Sequence, residues 1–365
     1  MSRRCVRCQT VYDGDARFCP RDGSPLVEIA GAARPPAAGK RSATTAKTAV
    51  RKVVKGTRGP GLDAAATLSD QILDRRYQVR RRLGEGGMSF VYEAADITTG
   101  ETVAVKVLSP KLASDRNAVE RLRREAGLAM RLNHPHACPI IRFGETEEGM
   151  IYLVMPYLEG ELLSDREARV GPMDAKVGIE LLVQMCAGLH HAHGLHIIHR
   201  DLKPENVMLV REPDGSDRAV VMDFGLAKDK RLGAGAQKLT ATGIVLGTPE
   251  FMSPEQVRGR ELDPRSDVYA LAIVAFEMLT GQLPFDGRTP QEMMVARLRG
   301  TPVPLRRYRP ELPVALERVL ARAMDVTPEE RYADVLQFGE ALTASIEEPT
   351  AEGGFFARLR NTLRR

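Results

Sequence analysis

The sequence predicts an α+β chain in which a small β-rich lobe precedes a larger helical lobe. Strand-like apolar runs predominate up to about residue 160, and long helical patterns follow them. A cysteine-rich stretch and a basic stretch with few large apolar side chains come before both lobes. We therefore expect four zones: a small module over residues 1–28, a linker over 29–73, a folded domain over 74–345 and a tail over 346–365.

The composition favours a globular protein. Of the 365 residues, 43% are hydrophobic and 28% are charged, which is ordinary for such proteins. No run of about eighteen apolar residues occurs, and the opening letters MSRRC lack a secretory signal segment. Three of the five cysteines lie within the first 19 residues, which is not a disulfide framework. We expect a cytoplasmic protein without a transmembrane segment.

The net charge of +5 comes from two basic segments. Residues 31–62 contain eight Lys or Arg and no acid, and residues 354–365 contain four Arg and no acid. Removing these twelve charges leaves about −7 on the rest of the chain. The first segment cannot bury enough apolar surface to fold, so we expect a flexible linker there. Nucleic acid is not an expected partner of the folded domain, although basic tails attract acidic partners weakly.

The stretch CVRCQTVYDGDARFCPRDG, residues 5–23, has the spacing of two metal-binding turns. Cys5 and Cys8 form one pair, and Cys19 and Asp22 occupy the matching positions after ten intervening residues. Structural zinc takes four ligands, mostly thiolate or imidazole, and carboxylate oxygen also binds it. Three interpretations stay open: a zinc-ribbon-like module with these four residues as Zn²⁺ ligands, a ribbon without metal, and free redox thiols. Each makes the module a regulatory or partner-binding appendage, with nucleic-acid binding as the alternative.

The glycine-rich segment LGEGGMSFVY, residues 83–92, lies between two strand-like runs. Glycines let a backbone turn approach phosphate oxygens, because side chains there would block contact with the N–H groups. An ordinary hairpin turn is the alternative for this segment taken alone. The residues expected at a bound nucleotide are Leu83, Gly84, Glu85, Gly86, Gly87, Met88 and Ser89.

A lysine and a glutamate follow this segment. Lys106 ends the strand-like run VAVK, and Glu125 lies 19 residues later in a helical pattern. A lysine on an apolar strand ordinarily extends its ammonium to the surface. A buried lysine held by a facing glutamate would instead supply a fixed positive charge for phosphate oxygens.

The string HRDLKPEN, residues 199–206, precedes DFG at 223–225 and SPE at 253–255. Together with the glycine-rich segment, the strand lysine and the helix glutamate, these motifs occur in the order of the protein kinase signature. The chain over residues 77–345 resembles a bacterial eukaryotic-like serine/threonine protein kinase. The resemblance implies a two-lobed kinase fold that binds ATP with Mg²⁺, or alternatively Mn²⁺, between its lobes.

The resemblance also implies roles for the catalytic residues. Phosphoryl transfer depends mainly on positioning and charge neutralisation. By this resemblance, Asp201 would orient the substrate hydroxyl, and Lys203 would neutralise charge on the γ-phosphate as it is transferred. Asn206 and Asp223 would hold Mg²⁺.

The remaining catalytic positions follow from the same match. Lys106 would hold the α- and β-phosphates, with Glu125 orienting it, and Thr248 would bridge Asp201 and Lys203. The strings DLKPEN and GTPEF resemble serine/threonine rather than tyrosine kinases. The implied partners are protein substrates with serine or threonine acceptors.

The adenine pocket can be assigned only through the resemblance. A gatekeeper, a hinge, a roof and a floor are expected around the base. A proline in the hinge lacks an N–H but still offers its carbonyl, so the N–H must come from two residues later. These positions are Met155, Pro156, Leu158, Val91, Ala104 and Met208.

Between the DFG and SPE motifs the chain carries Thr240 and Thr242 in a glycine-containing segment. Arg200, directly before Asp201, implies an anionic partner. A phosphothreonine would bring about −1.5 to −2 charges and order the segment. We expect autophosphorylation there, with self-association as a route in trans; ordinary loop threonines are the alternative.

Other positions have structural expectations. Asp267 would accept backbone N–H groups of the catalytic loop, and Arg331 would pair with Glu255 across the large lobe. The terminal letters FFARLRNTLRR are consistent with a membrane-surface helix, a docking segment or a frayed tail. The alternative to an active enzyme is a catalytically weak scaffold, or pseudokinase, that recruits partners through the ribbon and the basic tails.

Overall fold

The computed structural model describes residues 2–5, 11–13, 26–28, 68–86, 89–108, 116–224, 249–285, 287 and 289–347. They fall into two units, one within Met1–Gly56 and one within Thr57–Arg365. In the first unit, short antiparallel strands pair in the order β2-β1-β3. Their bounds are β1 (Ser2–Cys5), β2 (Val11–Asp13) and β3 (Leu26–Glu28). Three of the four predicted zinc ligands, Cys8, Cys19 and Asp22, lie outside the described residues, so the zinc site stays a prediction.

The second unit begins with a six-stranded antiparallel sheet in the order β4-β5-β6-β7-β9-β8. Residues of β6 alternate between more and less buried positions, as expected of a strand with one covered face. Strand β7 lies in the middle of the sheet and is buried at every position after Thr102. Its bounds and those of its neighbours are β4 (Ile72–Leu73), β5 (Tyr77–Gly86), β6 (Ser89–Asp96), β7 (Thr102–Leu108), β8 (Arg142–Glu145) and β9 (Ile151–Pro156).

Helix α1 (Arg116–Ala129) lies between β7 and β8 in the chain and contacts β8. Its buried face consists of Val119, Leu122, Ala126 and Ala129, which recur at the spacing of one helix face. The opposite face carries charged residues. The helix is therefore amphipathic, and its apolar face joins the main core.

The rest of the unit is mainly helical. A small antiparallel sheet in the order β10-β11-β12 accompanies the helices. The elements are β10 (Gly160–Leu162), α2 (Leu163–Val170), α3 (Ala175–Gly194), β11 (Val207–Arg211), β12 (Asp217–Val221), α4 (Pro254–Val257), α5 (Arg265–Thr280), α6 (Pro290–Arg299), α7 (Val314–Ala323) and α8 (Val335–Glu347). The predicted arrangement of a β-rich lobe before a helical lobe is confirmed.

Two helices organise the helical lobe. Asp174 caps the start of helix α3, and its side chain accepts hydrogen bonds from the N–H groups of Lys176 and Val177. Helix α5 is buried on almost all sides, which is typical of a central helix. Gly281 caps its C-terminal end in a left-handed backbone conformation, which glycine adopts readily. No helix in the described part of the chain is long and apolar enough to cross a membrane.

Candidate active site

The catalytic loop, residues 199–206, is held by a buried carboxylate of α5. Asp267 accepts the backbone N–H groups of His199 and Arg200 at 2.8 Å and 3.0 Å. The imidazole of His193 lies 2.8 Å from the same carboxylate. Burial alone would raise the pKa of Asp267, but the hydrogen bond from His193 and the nearby imidazoles hold it below its usual value. The predicted bracing of the loop by Asp267 is confirmed.

The loop places three predicted catalytic side chains within one turn. The ammonium of Lys203 lies 3.5 Å from the carboxylate of Asp201. Asn206 donates its amide N–H to the carbonyl of Asp201 at 2.7 Å, and a short 3₁₀ turn, Pro204–Asn206, joins these residues. Because the amide nitrogen of Asn206 is used in this bond, its oxygen is the atom left for a cation.

Asp223 faces this loop from the end of β12. Its carboxylate pairs with the ammonium of Lys106 at 2.6 Å. Burial alone would raise the pKa of Asp223, but Lys106, and then His199 and Lys203, hold the pKa below its usual value. Asp223 is therefore ionised near neutral pH. Carboxylate and amide oxygens are ligands that Mg²⁺ takes in proteins, so Asp223 and Asn206 fit that ion.

Glu125 has a different partner from the one predicted. Its carboxylate lies 3.2 Å from the guanidinium of Arg200. Within the described residues, Lys106 pairs with Asp223 and Glu125 with Arg200, so the structure does not bring Lys106 and Glu125 together. The expectation of a Lys106–Glu125 pair is therefore corrected for this conformation. Two cations and two acids can exchange partners over short distances, and sequence spacing does not select between the arrangements.

Two site residues have a left-handed backbone conformation that residues other than glycine rarely adopt. Arg200 has φ of 65° and Asp223 has φ of 60°. Left-handed non-glycine residues persist only where their surroundings hold them, and such residues concentrate at functional sites. Next to Asp223, the ring of Phe224 packs edge-on against His199 at 5.1 Å between centroids. His199 also lies within 2.8 Å of the Met222 carbonyl, which connects the loop to the end of β12.

Strand pairing brings some of the predicted adenine-pocket residues together. Val91 pairs with Lys106, and Ala104 pairs with Met155. Met208 of β11 is partly buried against the main core. Pro156 ends β9, and Leu158 contacts the same core. Strand pairing therefore brings Val91, Ala104 and Met155 to the part of the sheet that carries Lys106, and the adenine pocket itself stays a prediction.

The glycine-rich segment lies in a hairpin, which both interpretations of it allow. Gly84, Glu85 and Gly86 of β5 pair with Val91, Phe90 and Ser89 of β6. Leu83 lies in the same strand and is exposed. Gly87 and Met88, between the strands, lie outside the described residues, as do Thr240, Thr242 and Thr248. Their predicted roles stay predictions.

The predicted Glu255–Arg331 pair is confirmed. The two side chains form parallel hydrogen bonds of 2.8 Å each, and both residues are buried. Ser266 adds a bond to Glu255 at 2.6 Å. Burial alone would raise the pKa of Glu255, but the bond from Arg331 holds it below its usual value.

Two features of the site were missed in the sequence. Gln256 donates its amide N–H to the carbonyl of Arg200. Burial, and then the charge of Glu277 of α5, raises the pKa of Glu167 of α2, whereas burial, Glu205 and Glu250 raise the pKa of Glu277. The capping pattern S-x-x-Q at Ser253 signals a helix start and does not signal contact with a loop 56 residues away. Nothing in the sequence indicates that the charge of Glu277 acts on Glu167.

Comparisons with known proteins agree with this geometry. Residues 77–335 match the family model described as protein kinase domain. The chain is 38% identical over 275 residues to serine/threonine-protein kinase pkn3 of Myxococcus xanthus, covering 75% of this chain and 50% of that protein. It is 40% identical over 263 residues to serine/threonine-protein kinase PknB of Mycobacterium leprae (strain TN), covering 71% and 41%. The crystal structure of the Mycobacterium tuberculosis PknI kinase domain matches with a TM-score of 0.61 and 28% identity, covering 76% of this chain and 98% of that one.

The chain spans about half, or less, of the length of these curated relatives. Among the described side chains, no group of three or more His, Cys, Asp or Glu is arranged to hold a metal ion. The family model covers well over half of the chain, and the solved kinase domain matches it along almost its whole length. The chain belongs to the protein kinase domain family.

Proposed function

We propose that this chain is a serine/threonine protein kinase that transfers the γ-phosphate of ATP to hydroxyl groups of proteins, including its own. The observation that carries the proposal is the convergence of the catalytic loop and the metal-binding residues. Asp201, Lys203 and Asn206 lie in one turn, and Asp223 faces them while paired with Lys106. The names of the relatives and the GTPEF string support serine and threonine as acceptors.

Each side chain has a defined task in this proposal. Asp201 accepts a hydrogen bond from the acceptor hydroxyl and orients its oxygen towards the phosphate. Lys203, on the same turn, supplies positive charge where the transferred group carries negative charge. Asp223 and Asn206 offer oxygens to Mg²⁺. Mg²⁺ held by these residues would neutralise negative charge on the phosphate groups.

Lys106 has to change partners for this chemistry. In the structure its ammonium neutralises Asp223, the carboxylate that would hold Mg²⁺. Phosphate oxygens of the nucleotide offer Lys106 a new anionic partner, and Glu125 offers another once it leaves Arg200. The described arrangement therefore corresponds to a state that precedes nucleotide binding and activation.

Arg200 connects this exchange to phosphorylation. We infer that phosphothreonine at Thr240 or Thr242 would compete with Glu125 for the guanidinium of Arg200. A phosphate carries more charge than one carboxylate, so it favours the exchange. Self-association would allow one chain to modify another. Phosphorylation at these threonines is the regulatory part of the proposal.

The N-terminal unit is proposed to be a regulatory appendage with Zn²⁺ held by Cys5, Cys8, Cys19 and Asp22. The support is the ligand spacing and the small size of the module, which has too little apolar surface for a core of its own. Metal analysis of the purified full chain, before and after replacement of Cys8 and Cys19 by serine, tests this assignment. One zinc per chain that is lost in the variant is the expected result; equal zinc contents would contradict it.

A second candidate is a weakly catalytic scaffold that binds nucleotide. The observation that favours it is the pairing of Glu125 with Arg200, because Lys106 then lacks the orienting glutamate of an active kinase. The two candidates differ in turnover and not in fold.

Autophosphorylation with Mg·ATP separates the candidates. The full chain and its Asp201→Asn variant are compared with radiolabelled ATP, and the modified residues are mapped by mass spectrometry. Phosphate on Thr240 or Thr242 in the native chain alone is the expected result. Nucleotide binding without any incorporation into the chain or into a general protein substrate would support the scaffold instead.

A further inference from the structure

The backbone of Arg200 is held from both sides. Its N–H donates to Asp267 at 3.0 Å, and its carbonyl accepts the side-chain amide of Gln256 at 2.6 Å. Arg200 has a left-handed φ of 65° and directly precedes Asp201. Because a strained backbone keeps its conformation only under constraint, these two bonds help to hold the peptide that leads into Asp201. Asp267 was expected in this role, whereas Gln256 was not.

Both the oxygen and the nitrogen of the Gln256 side-chain amide form hydrogen bonds. Its oxygen accepts the N–H of Ser253 at 2.8 Å, and its nitrogen donates to the carbonyl of Arg200. The orientation of the amide follows from its partners, because a backbone N–H only donates and a carbonyl only accepts. Gln256 therefore connects the start of helix α4 with the catalytic loop.

Helix α4 is a firm base for this connection. Glu255, the neighbour of Gln256, is bound to Arg331 by two hydrogen bonds in a buried ion pair. Ser253 completes a capping box with Gln256, since its side chain accepts the N–H of Gln256. The side chain of Gln256 thus extends from a segment that the large lobe fixes in place.

The capping box alone does not require glutamine. Capping boxes accept glutamate as well as glutamine at this position, because only the side-chain oxygen is used there. The amide nitrogen of Gln256 serves no purpose in the cap. Among the described residues, this nitrogen donates to the carbonyl of Arg200.

We propose that Gln256 is a positioning residue for catalysis, which holds the Arg200 carbonyl and so fixes the approach of Asp201 to the acceptor hydroxyl. The proposal rests on the proposed kinase function. Loss of the amide donor should lower kcat, because the orientation of Asp201 matters when the phosphate is transferred. It should leave the KM for ATP unchanged, because Gln256 does not contact the adenine-pocket or metal residues described above.

The test compares three variants of the full chain in steady-state phosphorylation of a protein substrate. Gln256→Glu keeps the cap and removes the donor, Gln256→Met removes both without adding charge, and Ser253→Ala weakens the cap only. We expect kcat to fall about tenfold in both Gln256 variants, on the scale of one lost hydrogen bond, with the KM for ATP unchanged. Ser253→Ala should lower the melting temperature and leave kcat unchanged.

Three results would overturn the proposal. These are an unchanged kcat in Gln256→Glu, a fall in Gln256→Glu that is absent from Gln256→Met, and an equal fall in Ser253→Ala. The first shows that the donor is dispensable, the second assigns the effect to added charge, and the third assigns it to helix stability.

Hydrogen exchange keeps the test independent of turnover. Amides of the catalytic loop should exchange faster in both Gln256 variants than in the native chain, and at the native rate in Ser253→Ala. Unchanged hydrogen exchange in the Gln256 variants would overturn the proposed hold of Gln256 on the Arg200 carbonyl, even if no turnover is observed. An inactive native chain with faster loop exchange in these variants would contradict the kinase function and support the contact.

Discussion

The guanidinium of Arg200 lies 3.2 Å from the carboxylate of Glu125, so the arginine beside the catalytic aspartate binds the glutamate of helix α1. Lys106 is left with Asp223 as its acidic partner at 2.6 Å. Four charged groups therefore form two ion pairs that can exchange. Under the proposed kinase function, activation would require the other pairing, in which Glu125 orients Lys106 and Asp223 holds Mg²⁺.

The first prediction concerns this exchange. In an Asp201→Asn background, which cannot phosphorylate itself, Arg200→Gln should tighten Mg·ADP binding about 3- to 10-fold, a modest shift in a two-state equilibrium. The reason is that Glu125 loses its ion pair with Arg200, can then turn to Lys106, and so releases Asp223 for the metal ion. Calorimetric titration with Mg·ADP measures the change.

Two further variants make this prediction specific. Adding Glu125→Gln should cancel the gain, because the released carboxylate is then absent. Arg123→Gln, which removes an exposed pair of the same helix with Glu145, should leave binding unchanged. Tightening that persists without Glu125 would show that the exchange does not occur.

The second prediction concerns the buried pair of the large lobe. Arg331→Met should lower the free energy of unfolding by about 3–5 kcal/mol, because it leaves the carboxylate of Glu255 buried without its cation. Urea unfolding followed by circular dichroism measures this loss. Arg265→Gln is the matched control, since its pair with Glu329 at 3.9 Å is largely exposed.

A double variant checks the cause of that loss. Glu255→Leu combined with Arg331→Met should cost less than the sum of the single changes, because no unpaired charge is then left in the core. Strictly additive costs would mean that packing, and not the unpaired charge, dominates.

The third prediction sets helix propensity against packing. Gly188 lies inside α3, and a Cβ there would overlap the carbonyl of His136. Alanine gains about 1 kcal/mol over glycine in a helix, but overpacking of this kind costs about 1–3 kcal/mol. Gly188→Ala should therefore destabilise the protein, and differential scanning calorimetry should show a lower melting temperature.

Gly127 is the matched position for this comparison. It also lies within a helix, α1, but a Cβ there would have no atom within 4 Å. Gly127→Ala should stabilise the protein by up to about 1 kcal/mol. Changes of the same sign at both positions would contradict the packing argument.

The fourth prediction is a pH dependence. Burial, and then the charge of Glu277, raises the pKa of Glu167 to about 8, and burial with nearby acids raises the pKa of Glu277 to about 7. In the unfolded chain both carboxyls release their protons near the ordinary value of 4.5. Between these pH values the folded protein binds more protons than the unfolded chain, so stability falls as pH rises.

Replacement of one acid should remove part of this dependence. Glu167→Gln is neutral at every pH, so it should raise the melting temperature by about 2–4 °C at about pH 8.5 and change it little at about pH 5. Fluorescence melting curves at both values measure the difference. Glu180→Gln, at an exposed position of α3, is the control. An equal effect of Glu167→Gln at both pH values would contradict the assignment.

Much of the fold could be predicted because the patterns are local. Short stretches of consecutive residues show the alternating burial of β6, the amphipathic pattern of α1 and the continuous apolar character of α5. Local periodicity reports which face of an element is buried, and so it predicts the element type. The order of the lobes follows from the order of those elements.

The sequence by itself determined the identity and order of the catalytic groups, since motifs such as HRDLKPEN and DFG are contiguous strings. Only the tertiary structure decided which of these groups touch. Arg200 binds Glu125, and Gln256 binds the carbonyl of Arg200, across long separations in the chain. Charges and amides can choose among several partners of similar chemistry. Backbone geometry and burial select among them, and both are properties of the folded chain.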